Sequence, residues 1–249
     1  MERYAGKKVV IVGGTSGIGL ATAKMLLNGG ARVLVTGRSQ AGLETAQKEI
    51  GKDAVVVSSD ARSLTDIDAL ATRVESEFGT LDLLFVNAEF SAFAPLESMT
   101  EAVYDDMFNL NAKGPFFAVQ KLAPLITRGG SVVLTTSTAN VKGMPMIAAY
   151  GGAKAALRSF ARMFAVEFLP QGIRVNAVSP GPTETPIISK SFPNKEVAAQ
   201  ALGQMTEAIP MKRLGTSEEV AKAVLFLAFD ATFTTGVEFP VDGGWSQLF

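Results

Sequence analysis

The chain has 249 residues, a formal net charge of −1 and a hydrophobic content of 47%, which fits one α/β domain with a large apolar core. It contains no histidine and no cysteine, so Ser-His-Asp and Cys-His catalysis, disulfides and the usual zinc sites are excluded, and we expect no metal site. Nothing in the charge pattern indicates nucleic-acid binding, and no apolar run is long enough to predict a membrane span. Because no signal-peptide pattern precedes the first strand, we expect a cytoplasmic protein.

Short β-branched apolar runs alternate with longer helical patterns along the chain. Taken in chain order, strands are predicted at 8–13, 31–37, 54–60, 81–88, 130–137, 173–180 and 237–243, and helices at 19–30, 41–51, 64–79, 100–126, 148–168, 195–206 and 217–229. The helix at 100–126 is expected to break softly at Pro115. Repeated βαβ alternation with fully apolar strands predicts one α/β domain over 1–249, a Rossmann-type doubly wound parallel sheet with helices on both faces.

The interval 182–210 departs from this alternation. It holds four prolines and one short predicted helix. Ligands of doubly wound folds bind outside the carboxyl ends of the strands, and this interval follows such an end. We therefore expect it to cover a substrate site. The alternative is a surface insertion without such a role.

A glycine-rich turn, "VGGTSGIG", joins the first strand to the first helix at 12–19. Its spacing is G-x3-G-x-G rather than the generic G-x-G-x-x-G. Glycines permit a tight turn and the close approach of a diphosphate to the helix N-terminus, so the turn is predicted to bind phosphate. The members expected to contact the phosphates are Gly13, Thr15, Ser16, Gly17, Ile18 and Gly19.

The stretch "AAYGGAKAAL" places Tyr150 and Lys154 four residues apart on a predicted helix. Side chains at this spacing are neighbours on a helix. A cation so close favours the phenolate and lowers the pKa of the phenol, so Tyr150 is predicted to exchange protons near neutral pH. Taken alone, the spacing also fits an exposed helix without function.

Several motifs occur together in the order and spacing of one family. They are the glycine turn, Asn87 and Ala88 after the fourth strand, Asn111, Ser137 with Tyr150 and Lys154, and Pro180 with Gly181. Over essentially its whole length the sequence resembles the short-chain dehydrogenase/reductase family. The resemblance implies an oxidoreductase with a nicotinamide cofactor that interconverts a ketone and a secondary alcohol.

The resemblance implies a role for each matching residue. Tyr150 is the catalytic acid/base, and Lys154 lowers its pKa and holds the nicotinamide ribose. Ser137 hydrogen-bonds the substrate carbonyl, and Asn111 holds a water in a proton relay to Lys154. Donors aimed at the carbonyl oxygen stabilise the charge that develops there during hydride transfer. Beyond the turn, the expected cofactor contacts include Asp60 (to the adenine amine), Ala61, Asn87, Ala88, Tyr150, Lys154, Pro180, Gly181, Thr183 and Thr185.

The end of the second strand, "VTGRS", predicts NADP(H) rather than NAD(H). An NAD-selective site places a carboxylate here, and this chain has Gly37 instead. Arg38 follows and can bind a 2′-phosphate through its planar fork of donors, to which Ser39 adds a hydroxyl. The alternative is that Arg38 is a solvated loop residue.

The sequence departs from the family pattern at three positions. Val12 stands where the family usually has Thr, Val86 replaces an Asn, and Glu89 stands where Gly is usual. Glu89 would bring a charge to the entrance of the cofactor or substrate site, or else remain a solvated carboxylate. Large apolar side chains nearby predict a lipophilic pocket, with ordinary loop packing as the alternative. The predicted pocket residues are Glu89, Phe90, Met144, Ile188 and Phe192.

The resemblance also implies a homotetramer, paired through the helices at 100–126 and 148–168. The apolar tail "WSQLF" adds a weak hint, because exposed aromatic side chains at a terminus usually find a partner surface. Two other functions stay open. One is a 3-oxoacyl-thioester (acyl carrier protein) reductase, for which a cationic patch would argue. The other is a non-catalytic NADP-sensing protein on the same fold. The cations near the covering interval are Lys190, Lys195, Lys212 and Arg213.

Overall fold

The computed structural model describes residues 2–185 and 194–248, which contain a seven-stranded parallel sheet of order β3-β2-β1-β4-β5-β6-β7. The strands are β1 Lys8–Val12, β2 Arg32–Gly37, β3 Val55–Ser58, β4 Leu81–Val86, β5 Ile126–Thr135, β6 Arg174–Pro180 and β7 Glu238–Val241. The α-helices are α1 Gly17–Asn28, α2 Gln40–Ile50, α3 Leu64–Phe78, α4 Glu101–Phe108, α5 Gly114–Leu122, α6 Ala148–Phe168, α7 Lys195–Ala208 and α8 Ser217–Leu225. The predicted fold class is confirmed.

Both faces of the sheet are buried, because successive side chains of a strand point to opposite faces. Val9 and Ile11 of β1 join one core cluster with side chains of α1, α2 and α8. Val10 and Val12 join the other, with side chains of α3, α5 and α6. This alternation explains why the strands read as continuous apolar runs in the sequence.

The strand order reverses at β1, which pairs with β2 on one side and β4 on the other. A crevice forms outside the carboxyl ends of strands at such a reversal. Asn87, directly after β4, bridges it: Nδ2 donates to the carbonyl of Gly13 at 2.9 Å, and Oδ1 accepts from the hydroxyl of Thr135 at 3.0 Å. The ends of β1, β4 and β5 are thereby held together.

The predicted helix at 100–126 breaks before Pro115, not at it. A π turn at Asn109–Lys113 separates α4 from α5, and Pro115 lies in the first turn of α5, where a missing N–H costs little. The side chain of Asn111 donates to the carbonyl of Met107, four residues earlier, at 2.9 Å. It therefore competes with the backbone for an α-helical acceptor, which is consistent with the wider turn.

The described residues include no helix that is both long and apolar enough to cross a lipid bilayer.

Candidate active site

The N-terminus of α1 faces the crevice with its backbone donors uncapped. Ser16 precedes the helix and makes no side-chain cap bond. Because the first N–H groups of a helix lack partners within it and carry the positive end of the dipole, they bind anions. This end of α1 fits the diphosphate of a dinucleotide. By contrast, α2, α3, α4, α7 and α8 are capped by Ser39, Ser63, Thr100, Asn194 and Thr216.

The glycines of the turn are required by close packing. Gly13 has a φ of 84°, and a Cβ there would lie 2.5 Å from the backbone nitrogen of Ala88. A Cβ on Gly19 would lie 2.2 Å from the carbonyl oxygen of Gly13. Val12 lacks the hydroxyl of the threonine that the family usually has at this position. Here the hydroxyl of Thr36 on β2 binds the turn instead, since its Oγ1 accepts from Gly13 N at 3.2 Å.

The structure brings most of the predicted cofactor residues together in one cleft. As predicted, Gly13, Thr15, Ser16, Gly17, Ile18, Arg38, Asp60, Ala61, Asn87, Ala88 and Thr185 line it. Residues not predicted as contacts also line it, namely Thr36, Gly37, Ser59, Glu89 and Leu110. Of the remaining predicted contacts, Tyr150, Pro180, Gly181 and Thr183 line an adjoining cavity, Gly19 lies inside the turn, and Ser39 and Lys154 line neither. The cleft thus combines the glycine turn and the N-terminus of α1, which can hold a diphosphate.

The residues predicted to select the cofactor, Gly37, Arg38 and Ser39, lie at the end of β2 and directly after it. A Cβ on Gly37 would lie 2.5 Å from Cγ2 of Thr15, so no side chain fits there without displacing Thr15. Arg38 is 63% exposed, and its Nη1 lies 4.0 Å from Oδ2 of Asp60. Ser39 Oγ accepts from Gly42 N at 3.1 Å, and its hydroxyl hydrogen is not used in this bond.

Asp60 is held in place by Arg62, a residue that the sequence analysis did not single out. Nε and Nη2 of Arg62 donate to the two carboxylate oxygens of Asp60 at 3.1 and 2.8 Å, and Arg62 also pairs with Asp106. The backbone N–H of Asp60 donates to Asp66, which lowers the pKa of the Asp66 carboxyl. Asp60 is thus fixed in direction, and its contact with adenine stays a prediction.

The predicted catalytic side chains converge next to this cleft. Tyr150 and Lys154 project from the first turns of α6, and Ser137 follows β5. Lys154 is only 1% exposed. Its Nζ donates to the carbonyl of Thr135 at 2.8 Å and lies 3.1 Å from Oε2 of Glu89. The same ammonium lies 5.6 Å from the centre of the Tyr150 ring.

The pKa of Tyr150 shifts in the direction opposite to the prediction. Burial and the negative charge of Glu89 raise the pKa of the phenol well above its ordinary value. The phenol also donates to Glu89 Oε2 at 3.1 Å, which raises the pKa further, whereas a hydrogen bond with Ser137 lowers it. The expected lowering of the Tyr150 pKa by Lys154 was wrong for this arrangement of side chains, because burial of the phenol and the carboxylate of Glu89 both favour the neutral form.

Asn111 is fully buried, and its amide group is already engaged. Nδ2 donates to the carbonyls of Phe90 and Met107 at 2.7 and 2.9 Å, and Oδ1 accepts from Phe90 N at 3.2 Å. Both amide hydrogens are therefore used within the protein. The implied water relay stays a prediction, but the observed bonds show that Asn111 anchors the segment after β4.

The adjoining cavity is mostly apolar and forms the candidate substrate site. Of the predicted pocket residues, Glu89 and Met144 line it, Phe90 is not among the lining residues, and Ile188 and Phe192 lie outside the described residues. Ser137, Tyr150 and Thr183 also line it. Ile147, Met205 and Trp245 also line it and were not predicted from the sequence. Met205 belongs to the interval predicted to cover this site.

The tail residue Trp245 packs into its own chain. It is 7% exposed. Lys142 donates to its carbonyl oxygen at 2.7 Å, and the Lys142 ammonium lies 4.1 Å from the indole ring centre. Taking this tryptophan as an exposed oligomer contact was therefore wrong, because its partner surface is the wall of the cavity.

A family model described as "Enoyl-(Acyl carrier protein) reductase" matches residues 12–246. The chain is 37% identical to "Oxidoreductase asL5" of Sarocladium schorii, covering 100% of this chain and 99% of that protein. It is 32% identical to levodione reductase of Leifsonia aquatica, covering 99% and 97% of the two chains. The chain therefore belongs to the short-chain dehydrogenase/reductase family of oxidoreductases.

Solved structures agree with this assignment. The crystal structure of levodione reductase has a TM-score of 0.92 at 30% identity and covers 99% of this chain and 100% of its own. A variant of actinorhodin polyketide ketoreductase crystallised with NADPH has a TM-score of 0.88 at 28% identity, covering 97% and 98%.

Proposed function

We propose that the protein is an NADP(H)-dependent oxidoreductase that interconverts a small hydrophobic ketone and its secondary alcohol. The observation that carries the proposal is the convergence of Tyr150, Ser137 and Lys154 where an apolar cavity adjoins the dinucleotide cleft. The names of levodione reductase and of the ketoreductase crystallised with NADPH support the same chemistry.

Each of the three side chains has a task that its position supports. Tyr150 donates its phenolic proton to the oxygen of the carbonyl as negative charge develops there. Ser137 donates a hydrogen bond to the same oxygen and so stabilises that charge. Lys154 has three N–H donors, and the described residues accept from two of them, which leaves one for a ribose hydroxyl. The nicotinamide, when bound, supplies the hydride.

The proposal is tested with a panel of ketones and NADPH, and with alcohols and NADP⁺ in reverse. Tyr150→Phe keeps the ring but removes the proton donor, so we expect kcat to fall by ~10²–10⁴-fold while NADPH binding is retained. Tyr104→Phe is a matched control, because Tyr104 is 44% exposed on α4 and should leave kcat unchanged. Activity of Tyr150→Phe close to that of the wild type would contradict the assigned role.

The panel includes 3-oxoacyl and enoyl thioesters. Lys190 and the side chain of Lys195 lie outside what the structure describes. The other two cations near the covering interval, Lys212 and Arg213, give little support to an acyl-carrier surface, since each has an acidic partner. Arg213 donates to both carboxylate oxygens of Glu219 at 2.8 and 2.6 Å, and Lys212 lies 3.9 Å from the carboxylate of Glu207. Tight NADPH binding without turnover of any substrate would favour the NADP-sensing alternative.

A further inference from the structure

Glu89 occupies the junction between the two parts of the site. It follows β4, and its side chain lines both the dinucleotide cleft and the substrate cavity. Of the described residues that line the substrate cavity, Glu89 alone carries a charge. Its side chain is 20% exposed, so this carboxylate is not the solvated loop group that a surface position would give.

The backbone next to Glu89 is held in place by the side chain of Asn111. Asn111 binds both the N–H and the carbonyl of Phe90, at 3.2 and 2.7 Å. Two bonds to one residue define the direction of the segment, and Asn111 is itself fully buried. The carboxylate of Glu89 is consequently presented to α6 by a fixed stretch of chain.

One carboxylate oxygen of Glu89 contacts both functional groups of α6. Oε2 accepts from the Tyr150 hydroxyl at 3.1 Å and lies 3.1 Å from the Lys154 ammonium. Accepting the phenolic hydrogen favours the neutral phenol, and pairing with Lys154 offsets the charge that would favour the phenolate. We infer that Glu89 is a positioning residue that keeps Tyr150 protonated and biases the site toward carbonyl reduction.

The inference rests on the proposed function and sets a direction within it. In reduction, the carbonyl carbon gains a hydride from NADPH, the oxygen gains the Tyr150 proton, and the phenolate then regains a proton from solvent. In oxidation, the phenolate must first accept the proton of the alcohol. A group that favours the phenol therefore extends reduction to higher pH and restricts oxidation to alkaline pH.

The other described groups around Tyr150 do not replace this effect. Lys154 is the charged partner on the same helix, and Ser137 contributes a neutral hydroxyl from the end of β5. Thr183 and Thr185, which follow β6, are neutral. Lys142 is bound to the carbonyl and the ring of Trp245. Asp242 near the C-terminus accepts hydrogen bonds from Gly244 and Ser246 and does not line the cavity. Glu89 is thus the anion that faces the phenol, in keeping with the raised pKa of Tyr150.

The first experiment titrates Tyr150 directly, without turnover. The chain has three tyrosines, so subtracting the tyrosinate absorption of Tyr150→Phe isolates the signal of Tyr150. We expect Glu89→Gln, which keeps the side-chain size and removes the charge, to move this titration to lower pH. Glu89→Asp, which keeps the charge, should stay nearer the wild type, and Glu97→Gln, at an exposed position, should not move it.

The second experiment compares pH profiles of kcat in both directions. In Glu89→Gln, the oxidation profile should move to lower pH, and reduction should decline at a lower pH than in the wild type. Well below the pKa, each unit by which the pKa falls raises the phenolate fraction about tenfold, so oxidation at neutral pH should gain by the same factor. Glu89→Asp should recover most of the wild-type profile, which a merely structural role would not require.

The outcomes separate the inference from the proposed function. An unchanged Tyr150 titration in Glu89→Gln overturns the inference, whether or not the protein turns over a ketone. A shifted titration with unshifted pH profiles overturns the bias toward reduction. Absence of turnover by the wild type overturns the proposed function and with it that bias, while the titration still decides whether Glu89 holds the proton on Tyr150.

Discussion

Replacing Arg38 by leucine should remove the preference for NADPH. Arg38 is 63% exposed, and its nearest described anion is Asp60, at 4.0 Å. An exposed pair of this kind contributes at most about 1 kcal/mol, so Arg38 can turn to a phosphate at little cost. A hydrogen bond to a charged group contributes about 1.5–3 kcal/mol. We take the low end because of the exposure, which corresponds to roughly tenfold in affinity.

The assay is kcat/KM for NADPH and NADH with one ketone, together with the Kd of each cofactor. The wild type should prefer NADPH by about tenfold or more, and Arg38→Leu should bring the two cofactors close to equal use. The matched control is Arg73→Leu, since Arg73 is 54% exposed on α3 and is not among the cleft residues. It should leave the ratio unchanged.

The structure also sets the limits of this test. Adding Asp at position 37 would complete an NAD-type site, but a Cβ there lies 2.5 Å from Thr15 Cγ2. Gly37→Asp would therefore disturb the phosphate turn, and adding Thr15→Ala would still leave the Cβ of residue 15 at 3.1 Å from the new Cβ, so Arg38→Leu alone is the cleaner variant. If the wild type uses both cofactors equally, or if Arg38→Leu keeps the wild-type ratio, phosphate recognition does not depend on Arg38.

Three further outcomes are expected. Lys154→Met should lower kcat and cofactor affinity, and it should lower the free energy of unfolding by about 1–3 kcal/mol because Glu89 loses its partner. Adding Glu89→Gln should restore stability in denaturant unfolding but not activity. A loss of stability that the second substitution does not change would argue against the pairing. Glu219 completes the capping box of α8 and pairs with Arg213, which lowers its pKa to about 2; Glu219→Gln should cost about 0.5–1 kcal/mol at neutral pH after discounting for exposure. Because folding lowers the pKa of Glu219, the stability difference between wild type and Glu219→Gln should be present above the unfolded-state pKa of ~4.3 and should fade as the pH falls toward the folded-state pKa. A stability difference that persists unchanged in acid would contradict the assignment. Light scattering should show the tetramer that the family resemblance implies. Met163, Val166 and Leu169, at the end of α6 and directly after it, are 53%, 70% and 60% exposed, and an apolar patch usually has a partner; Val166→Glu should weaken the tetramer, and a wild-type monomer at micromolar concentration would refute the expectation.

Most of the fold could be predicted from local sequence patterns. The predicted helix at 148–168 coincides with α6, because apolar residues at helical spacing define its buried face. Strand ends were less certain: β5 begins at Ile126 rather than at 130, since pairing with β4 extends it through residues without strand character. The break between α4 and α5 was wrongly predicted at Pro115, because proline is the obvious helix-breaking signal. The hydrogen bond from the buried Asn111 side chain to the backbone carbonyl of Met107 has no sequence signal of its own.

The candidate site was predictable where a residue acts through its own chemistry. Tyr150 and Lys154 belong to that class through their spacing on a helix, whereas Ser137 was predicted from the family resemblance, and the structure brings the three together. The direction of the Tyr150 pKa shift was not predictable, because it depends on burial in the folded chain and on a third side chain, Glu89, from 61 residues earlier in the chain. The position of Trp245 in the cavity wall was not predictable for a similar reason, since only the folded chain places the tail against the cavity.

The π turn at Asn109–Lys113 makes the length of this helix pair matter as much as its composition. A π turn closes from i to i+5 and so takes one residue more than an α turn. The turn thereby accommodates an extra residue locally, so that the buried face of α5, which includes Val119 and Leu122, still packs against the core. Deleting one residue there would close the turn to a regular α turn, and Asn111 would lose the wide backbone geometry in which it binds Phe90. Inserting a further residue would rotate everything after it by about 100° and turn the buried face of α5 away from the core.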